Sequence, residues 1–300
     1  MAWGQSNLPA VPSLSITLAP FRTRTTVRWG ADQDGFTING ERQTGSSAQR
    51  IGGFLDLIDP ARPPAEVESH NNFPTAAGLA SSSSAFAALA LAASAAAGHD
   101  ADPTRLSILA RQGSGSACRS LWGGWVVWRA GQRADGQDSH GAPIAPANHW
   151  DIRVLVALVS GEKKAVGSRE GMNRSQATAS AYAHWVETAQ ADLDEAEAAV
   201  GAKDLERLGT AMERSTTKMV ATMHTAVPPI HYEKTATLAV LDRVRQMRAS
   251  GLAAWSTMDA GPNVKVLTTA ADAPSVEAEL RQVVDTVHLL HPGPDAHLVP

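Results

Sequence analysis

The sequence predicts an α+β protein of two lobes, with mixed and antiparallel sheets and flanking helices around a central cleft. Three observations carry that expectation. Strand-like runs alternate with helical ones in both halves, an order that builds sheets covered by helices. A continuous apolar run, "DIRVLVALVS", opens the second half as a buried central strand would. The 300 residues also suffice for two lobes that share a cleft, divided here into 1–150 and 151–300.

From 13 to 39 the pattern is that of strands. "SLSITLAP" alternates polar and apolar residues, and "RTTVRWG" and "GFTING" flank the turn-rich "ADQD" like the arms of a hairpin. A helix follows over 46–58 and is broken by "DPARPP". "AEVESHNNF" reads as a strand running into a loop of small residues, and 81–97 as a helix stopped by Gly98. A short helix spans 104–112, and "WGGWVVWRAG" is a strand whose tryptophans pack rather than bind. Ala, Glu, Arg and Met at helical spacing then predict three helices near 173–198, 202–225 and 235–249. "AAWSTMDAGPNVKVLTT" is strand, turn and strand, and a helix over 273–288 and the strand "TVHLLHP" complete the pattern.

Composition removes several classes of function. The chain is 43% hydrophobic and 19% charged, the balance of a folded rather than a disordered protein. A net charge of −4 and a pI near 6.2 leave no basic footprint, so nucleic acid is not an expected partner. One cysteine, Cys118, excludes an internal disulfide framework and suits a reducing compartment. The longest apolar run, 85–98, is too short to span a bilayer, and "MAWGQSNLPAV" lacks the basic and apolar regions of a signal peptide. None of the ten histidines falls in a ligand spacing such as HExxH, so zinc is not expected. The expectation is a cytoplasmic enzyme with no membrane partner.

Four strings carry chemistry. In "PTAAGLASSSS", Gly78 and its small neighbours let backbone N–H groups approach an anion at a helix N-terminus, where the dipole favours negative charge. Ser81 to Ser84 can cap that helix, touch phosphate or help hold Mg²⁺. Taken alone, the string fits a packing helix with a serine cap equally well, and it is no Walker loop, because no "GK[ST]" follows. "RQGSGSACRS" gathers hydroxyls and arginines into an anion clamp, with Arg119 able to grip a carboxylate bidentately. Cys118 lies within it but has no basic neighbour to activate a thiolate, and reads as packing. In "STMDAGPNVKV", Asp259 sits between an apolar strand and a Gly-Pro turn, where a base or orienting carboxylate can be held at a loop edge. "VGSREGM" places Ser168 and Arg169 after two lysines, a second anion site or a solvated basic loop.

In this order the strings resemble the diphosphomevalonate decarboxylases of the GHMP kinase superfamily. "NNFPTAAGLASS", "GSGSACRS", "SREGM" and "MDAGPNVKV" are similar to that family's motifs, as are "LPAVPSLSITL" and "MHTAVPPIHY", and the resemblance covers essentially the whole chain. It implies a GHMP-kinase-like fold, with a nucleotide-binding lobe over 1–150 and a lobe over 151–300 that carries the catalytic aspartate turn. It implies a reaction in which ATP, with Mg²⁺, phosphorylates the 3-hydroxyl of mevalonate 5-diphosphate, and loss of phosphate and CO₂ gives isopentenyl diphosphate. By the same resemblance Asp259 orients or deprotonates the hydroxyl, and Arg119 binds the substrate carboxylate with Ser116 beside it. Ser114, Ser168 and Arg169 contact the phosphorylated mevalonate, and Ala77, Gly78, Ser81 and Ser82 wrap the ATP phosphates. Family members are commonly homodimers, so a homodimer is implied as well.

The start departs from the family's pattern. Relatives usually carry a strand before "YWGK", whereas this sequence begins "MAWGQS", with Ala2 in place of the tyrosine and Gln5 in place of a phosphate-binding lysine. The change should weaken diphosphate binding and expose a sheet edge. A misassigned start or truncation, a changed substrate and impaired activity all remain open explanations. The alternatives to the leading reading are a decarboxylase of mevalonate 5-phosphate, a kinase that stops at phosphorylation, and an inactive binding protein. The carboxylate clamp argues against the kinase, since phosphorylating an alcohol needs no such clamp. Retention of Asp259, Arg119 and the phosphate loop argues against the inactive protein.

Overall fold

The computed structural model describes residues 7–74, 79–99, 102–162 and 164–299. Among them the first half forms β1 (Ser13–Ile16), β2 (Leu18–Ala19), β3 (Thr23–Trp29), β4 (Gly35–Ile38), β5 (Glu41–Arg42) and α1 (Gly45–Ile58). It continues through β6 (Ala65–Asn71), α2 (Ser81–Ala96), α3 (Pro103–Gly113), a 3-10 turn over Gly115–Arg119, β7 (Trp125–Trp128) and β8 (Gly141–Ala145). The second half adds β9 (Ile152–Leu158), α4 (Ser168–Thr178), α5 (Tyr182–Ala202), α6 (Leu205–His224) and α7 (Thr235–Ala249). It ends with β10 (Trp255–Met258), β11 (Val264–Thr269), α8 (Ala273–Leu280) and β12 (Thr286–Pro292).

Three sheets organise these elements, in the orders β3-β6-β4-β5, β1-β7-β8 and β10-β11-β9-β12-β2. The expected hairpin between "RTTVRWG" and "GFTING" does not form. β6 lies between its two arms, antiparallel to β3 and parallel to β4. β6 alternates buried and exposed residues along its length, and its inner residues Ala65 and Val67 join the core beneath α1, α2 and α3. A strand with one apolar face and two free edges gains more ladder bonds in the middle of a sheet than at its rim. β9 is the buried central strand that its apolar run predicts, flanked by β11 and β12.

Two helical expectations need correction. The span 173–198 is not one helix: α4 ends at Thr178 and α5 begins at Tyr182. Tertiary hydrogen bonds hold the break, with Val227 N–H donating to Thr178 Oγ1 at 2.8 Å and Ala181 N–H donating to Thr225 Oγ1 at 3.3 Å. The last helix stops at Leu280 rather than 288, because the chain must turn to bring β12 beside β9. Local rules do hold at α3, where Asp102 caps the Arg105 N–H at 2.9 Å and Pro103 occupies the first turn.

The halves are stitched together. β2 pairs with β12, so a segment of the first half closes one edge of the second-half sheet. A shared apolar seam joins Leu14, Ile16 and Trp125 to Ile152, Val154, Leu208 and Trp255. Trp125 is 1% exposed and stacks on Trp150, which bears out packing as the work of the β7 tryptophans. Gly124 is required where the chain enters β7. Its φ is +65°, and a Cβ there would stand 2.4 Å from the Ala145 carbonyl oxygen.

Within α6, Gly209 faces the Trp255 indole, where an added Cβ would lie 2.1 Å from the ring. Alanine in a helix interior gains about 1 kcal/mol over glycine, whereas overpacking a close-packed core costs about 1–3 kcal/mol. Gly209→Ala is therefore expected to destabilise the protein by up to about 2 kcal/mol, measured by denaturant unfolding; a stabilised variant would contradict this packing.

Candidate active site

The serine-rich helix mouth is built differently from a simple serine cap. The N-cap of α2 is Ala80, in the left-handed region at φ 56° and ψ 30°, and no side chain of the described residues caps the helix there. A non-glycine residue held there is strained, and such strain persists where surrounding structure over-determines it. The serines turn elsewhere. Ser82 Oγ lies 3.2 Å from Ser114 Oγ, Ser83 Oγ is hydrogen-bonded to Ser116 Oγ, and Thr23 Oγ1 donates to Ser84 Oγ at 2.7 Å. Hydroxyl pairs thus dock α2 against the "GSGSACRS" string, and Gly113, its first residue, has no room for a Cβ beside Phe86. Ala77 and Gly78 lie outside the described residues, as do Ala2 and Gln5. Ser81 opens α2 itself.

Arg119 ends the 3-10 turn. Its guanidinium donates to Ser13 Oγ and lies 5.6 Å over the Trp128 ring, while its Nε is buried without a hydrogen-bond partner among the described residues. Ser13 belongs to the "LPAVPSLSITL" string, and Asn7, directly before that string, donates its amide to the Arg111 and Gln112 carbonyls at 2.9 and 2.8 Å. Burial lowers the pKa of Arg119, opposed by the nearby Cys118 and Asp259. Cys118 itself is fully buried, and burial pushes its thiol up to about 12, which leaves it no thiolate to offer.

Asp259 follows β10 and lies within electrostatic reach of Arg119. Its side chain keeps 61% of its surface accessible. Removal from bulk water pushes its carboxyl up, but Lys265 at 2.8 Å, then Arg119 and Lys164, outweigh that and hold it below the usual carboxylate range. Lys164 ties the second half of the site together. Its ammonium donates to Ser168 Oγ at 2.6 Å and to the Ala260 carbonyl, joining the start of α4 to the Asp259 turn. Desolvation and the charge of Lys265 lower its pKa, against the pull of Asp259.

Arg50 is the residue that no sequence motif announced. It lies on α1, donates to the Gly113 carbonyl at 2.7 Å and stacks over Phe86 at 4.5 Å. Burial first, and the like charge of Arg169 second, pull its pKa down to about 10. Two half-buried guanidinium groups that repel each other suit an anion between them. Lys164 and Lys265 were also unassigned in the sequence reading, although the two lysines before "SREGM" and the lysine in "NVKV" were visible. The structure therefore brings together Ser82, Ser83, Ser114 and Ser116 in one hydroxyl layer, and Arg119, Asp259, Lys164 and Ser168 in one electrostatic set. Arg169 meets Arg50 beside them.

These lobes have a GHMP-kinase-like α+β architecture. Residues 3–141 match the profile of the diphosphomevalonate decarboxylase-like N-terminal domain, and residues 154–291 that of the mevalonate 5-diphosphate decarboxylase C-terminal domain. The chain belongs to the diphosphomevalonate decarboxylase family. It is 36% identical to the diphosphomevalonate decarboxylase of Gibberella zeae over 95% of this chain and 82% of that protein. The mevalonate diphosphate decarboxylase of Staphylococcus aureus superposes with a TM-score of 0.91 at 34% identity, covering 98% of this chain and 92% of that one. A structure of the enzyme from Enterococcus faecalis, concerned with mevalonate diphosphate-mediated ATP binding, superposes with a TM-score of 0.89 at 37% identity, covering 98% and 93%.

Replacing Lys265 with methionine removes the ion pair that most lowers the Asp259 carboxyl. In Lys265→Met the Asp259 titration, followed by carboxyl NMR, is expected to move to higher pH. An unmoved titration would assign the lowering to another group.

Proposed function

We propose that this protein catalyses the ATP-dependent decarboxylation of mevalonate 5-diphosphate to isopentenyl diphosphate, ADP, phosphate and CO₂, a step of the mevalonate pathway. The observation that carries the reading is the electrostatic set around Asp259. A guanidinium suited to a carboxylate and a carboxylate suited to an alcohol face each other across a cleft, beside a hydroxyl-lined helix mouth.

Hydroxide is too poor a leaving group for direct elimination, and phosphorylating the 3-hydroxyl removes that obstacle. Asp259 accepts a hydrogen bond from the hydroxyl and aims its oxygen at the γ-phosphoryl group. Because neighbouring cations hold this carboxyl low, Asp259 is too weak a base to strip an alcohol in the ground state. Orientation is therefore its main work, and the proton leaves late, as a loose phosphoryl-transfer transition state allows. The C1–C2 bonding pair then forms the alkene, phosphate departs with the C3–O pair, and CO₂ is released. Arg119 holds the carboxylate so that the C1–C2 bond is aligned with the departing phosphate. A tight ion pair would stabilise the carboxylate before it breaks, so this guanidinium contributes chiefly through alignment.

Arg50 and Arg169 are read as the grip on the 5-diphosphate, with Ser114 and Ser168 beside them. They supply positive charge for the substrate's phosphates. The N-terminal amides of α2, with Ser81, Ser82 and the Ala77–Gly78 loop, are read as the cradle for the ATP phosphates. The oxygens of Ser82 and Ser114, 3.2 Å apart, suit a hard cation, and they would hold Mg²⁺ together with phosphate oxygens. When bound, Mg²⁺ supplies charge neutralisation of the transferring phosphoryl group. No helix of the described residues is long and apolar enough to cross a membrane. Kinship is the ground for reading the protein further as a cytoplasmic homodimer.

Incubation with ATP, Mg²⁺ and mevalonate 5-diphosphate is expected to release ADP, phosphate and CO₂ in equal amounts. Faster turnover of mevalonate 5-phosphate, or ATP consumption without CO₂, would overturn the assignment. Asp259→Asn is expected to lower turnover on the order of 10²–10⁴-fold with ATP affinity retained; unchanged turnover would remove Asp259 from the role. Arg50→Ala is expected to raise KM for the diphosphate about 10–100-fold, the worth of one hydrogen-bonded charge, with KM for ATP little changed. An equal effect on both would contradict the grip.

A further inference from the structure

The string "MHTAVPPIHYEK" is given no chemistry by the reading above, yet it gathers three metal-binding side chains. His224 is the last residue of α6, and His231 and Glu233 lie in the segment that leads to α7. One nitrogen of each imidazole and one carboxylate oxygen all fall within 4.8 Å of one another. His224 Nε2 stands 2.9 Å from Glu233 Oε1, and the two imidazole rings lie 4.6 Å apart, tilted by 39°. Both histidines are exposed, whereas the Glu233 side chain is only 13% exposed, so a fixed carboxylate stands under two rings that solvent can reach. Sequence reading misses the group because its spacing, H-x6-H-x-E, follows no helical ligand pattern; the Pro-rich turn folds the ligands together.

The geometry points to a binding site for a borderline divalent transition-metal ion, formed by His224, His231 and Glu233 and separate from the Mg²⁺ used with ATP. Two imidazoles and one carboxylate make the donor set that Zn²⁺ and its neighbours prefer, with a position left for water. Mg²⁺ favours oxygen ligands in octahedral geometry and is poorly matched. The ion would take the place of the His224–Glu233 hydrogen bond and pin the segment 224–233 to the end of α6. That segment is a wedge beneath the catalytic loops. Its residues Ile230 and Tyr232 pack with Val166 and Ala260, and Tyr232 Oη donates to the Val166 carbonyl at 3.0 Å. Val166 lies two residues before Ser168, and Ala260 directly follows Asp259, so a bound ion braces both loops without touching substrate.

The test is titration of the untagged, metal-stripped full chain with ZnCl₂, read by calorimetry and by thermal melting. One ion per chain is expected, with a rise in Tm of about 3 °C or more at saturating Zn²⁺ and no comparable rise with Mg²⁺. His231→Ala and Glu233→Gln should each fold normally, being near the surface, and weaken binding at least ~10-fold. Asp259→Asn should leave it intact. Binding of equal strength in both site variants, loss of the ion in Asp259→Asn, or no binding at ~100 µM Zn²⁺, would each overturn the site.

Discussion

The structure turns on a concentration of positive charge around one carboxylate. Arg119, Lys164 and Lys265 all act on Asp259, while Arg50 and Arg169 press like charge against each other beside them. The chain as a whole carries a net charge of −4, so this excess is local. A cleft with low-dielectric walls focuses such a field and draws in anions. Three of these cations have their own anchors: Arg119 on Ser13, Lys164 on Ser168 and the Ala260 carbonyl, Arg50 on the Gly113 carbonyl. Those anchors fix the charges before substrate arrives, and preorganisation of this kind is the main resource of phosphoryl-transfer catalysts.

The hydroxyl layer at the α2 mouth serves the same end by different means. Serines of its first turn bind α2 to the turn carrying Arg119. The helix mouth and the Arg119 turn are thereby held at a fixed separation. The lobes share a further constraint through β2, which comes from the first half and pairs with the last strand. Displacing either element would disturb both the apolar seam and the site.

Much of this was legible in the residues themselves. The apolar run of β9, the alanine-rich α2 and the strand-turn-strand around Asp259 are local signals, and each formed as its pattern dictates. Of the strings that resemble one family, "SREGM" opens helix α4 and "LPAVPSLSITL" runs into strand β1, so both owe their form to local pattern. Non-local pairing was not legible. Nothing in "RTTVRWG" or "GFTING" says that β6 will enter between them, since the partner lies some thirty residues further on. The break between α4 and α5 has no proline or glycine to announce it, and depends on Thr178 and Thr225 meeting across the fold. Arg50 was invisible for a related reason, as its meaning comes from Arg169, which is remote in sequence.

The most direct measurement of the central claim is a crystal structure of the protein with mevalonate 5-diphosphate and a non-hydrolysable ATP analogue. The account places the substrate carboxylate on Arg119, its 3-hydroxyl on Asp259 and its diphosphate between Arg50 and Arg169. A complex with the diphosphate on Arg119, or with the hydroxyl turned away from Asp259, would contradict it.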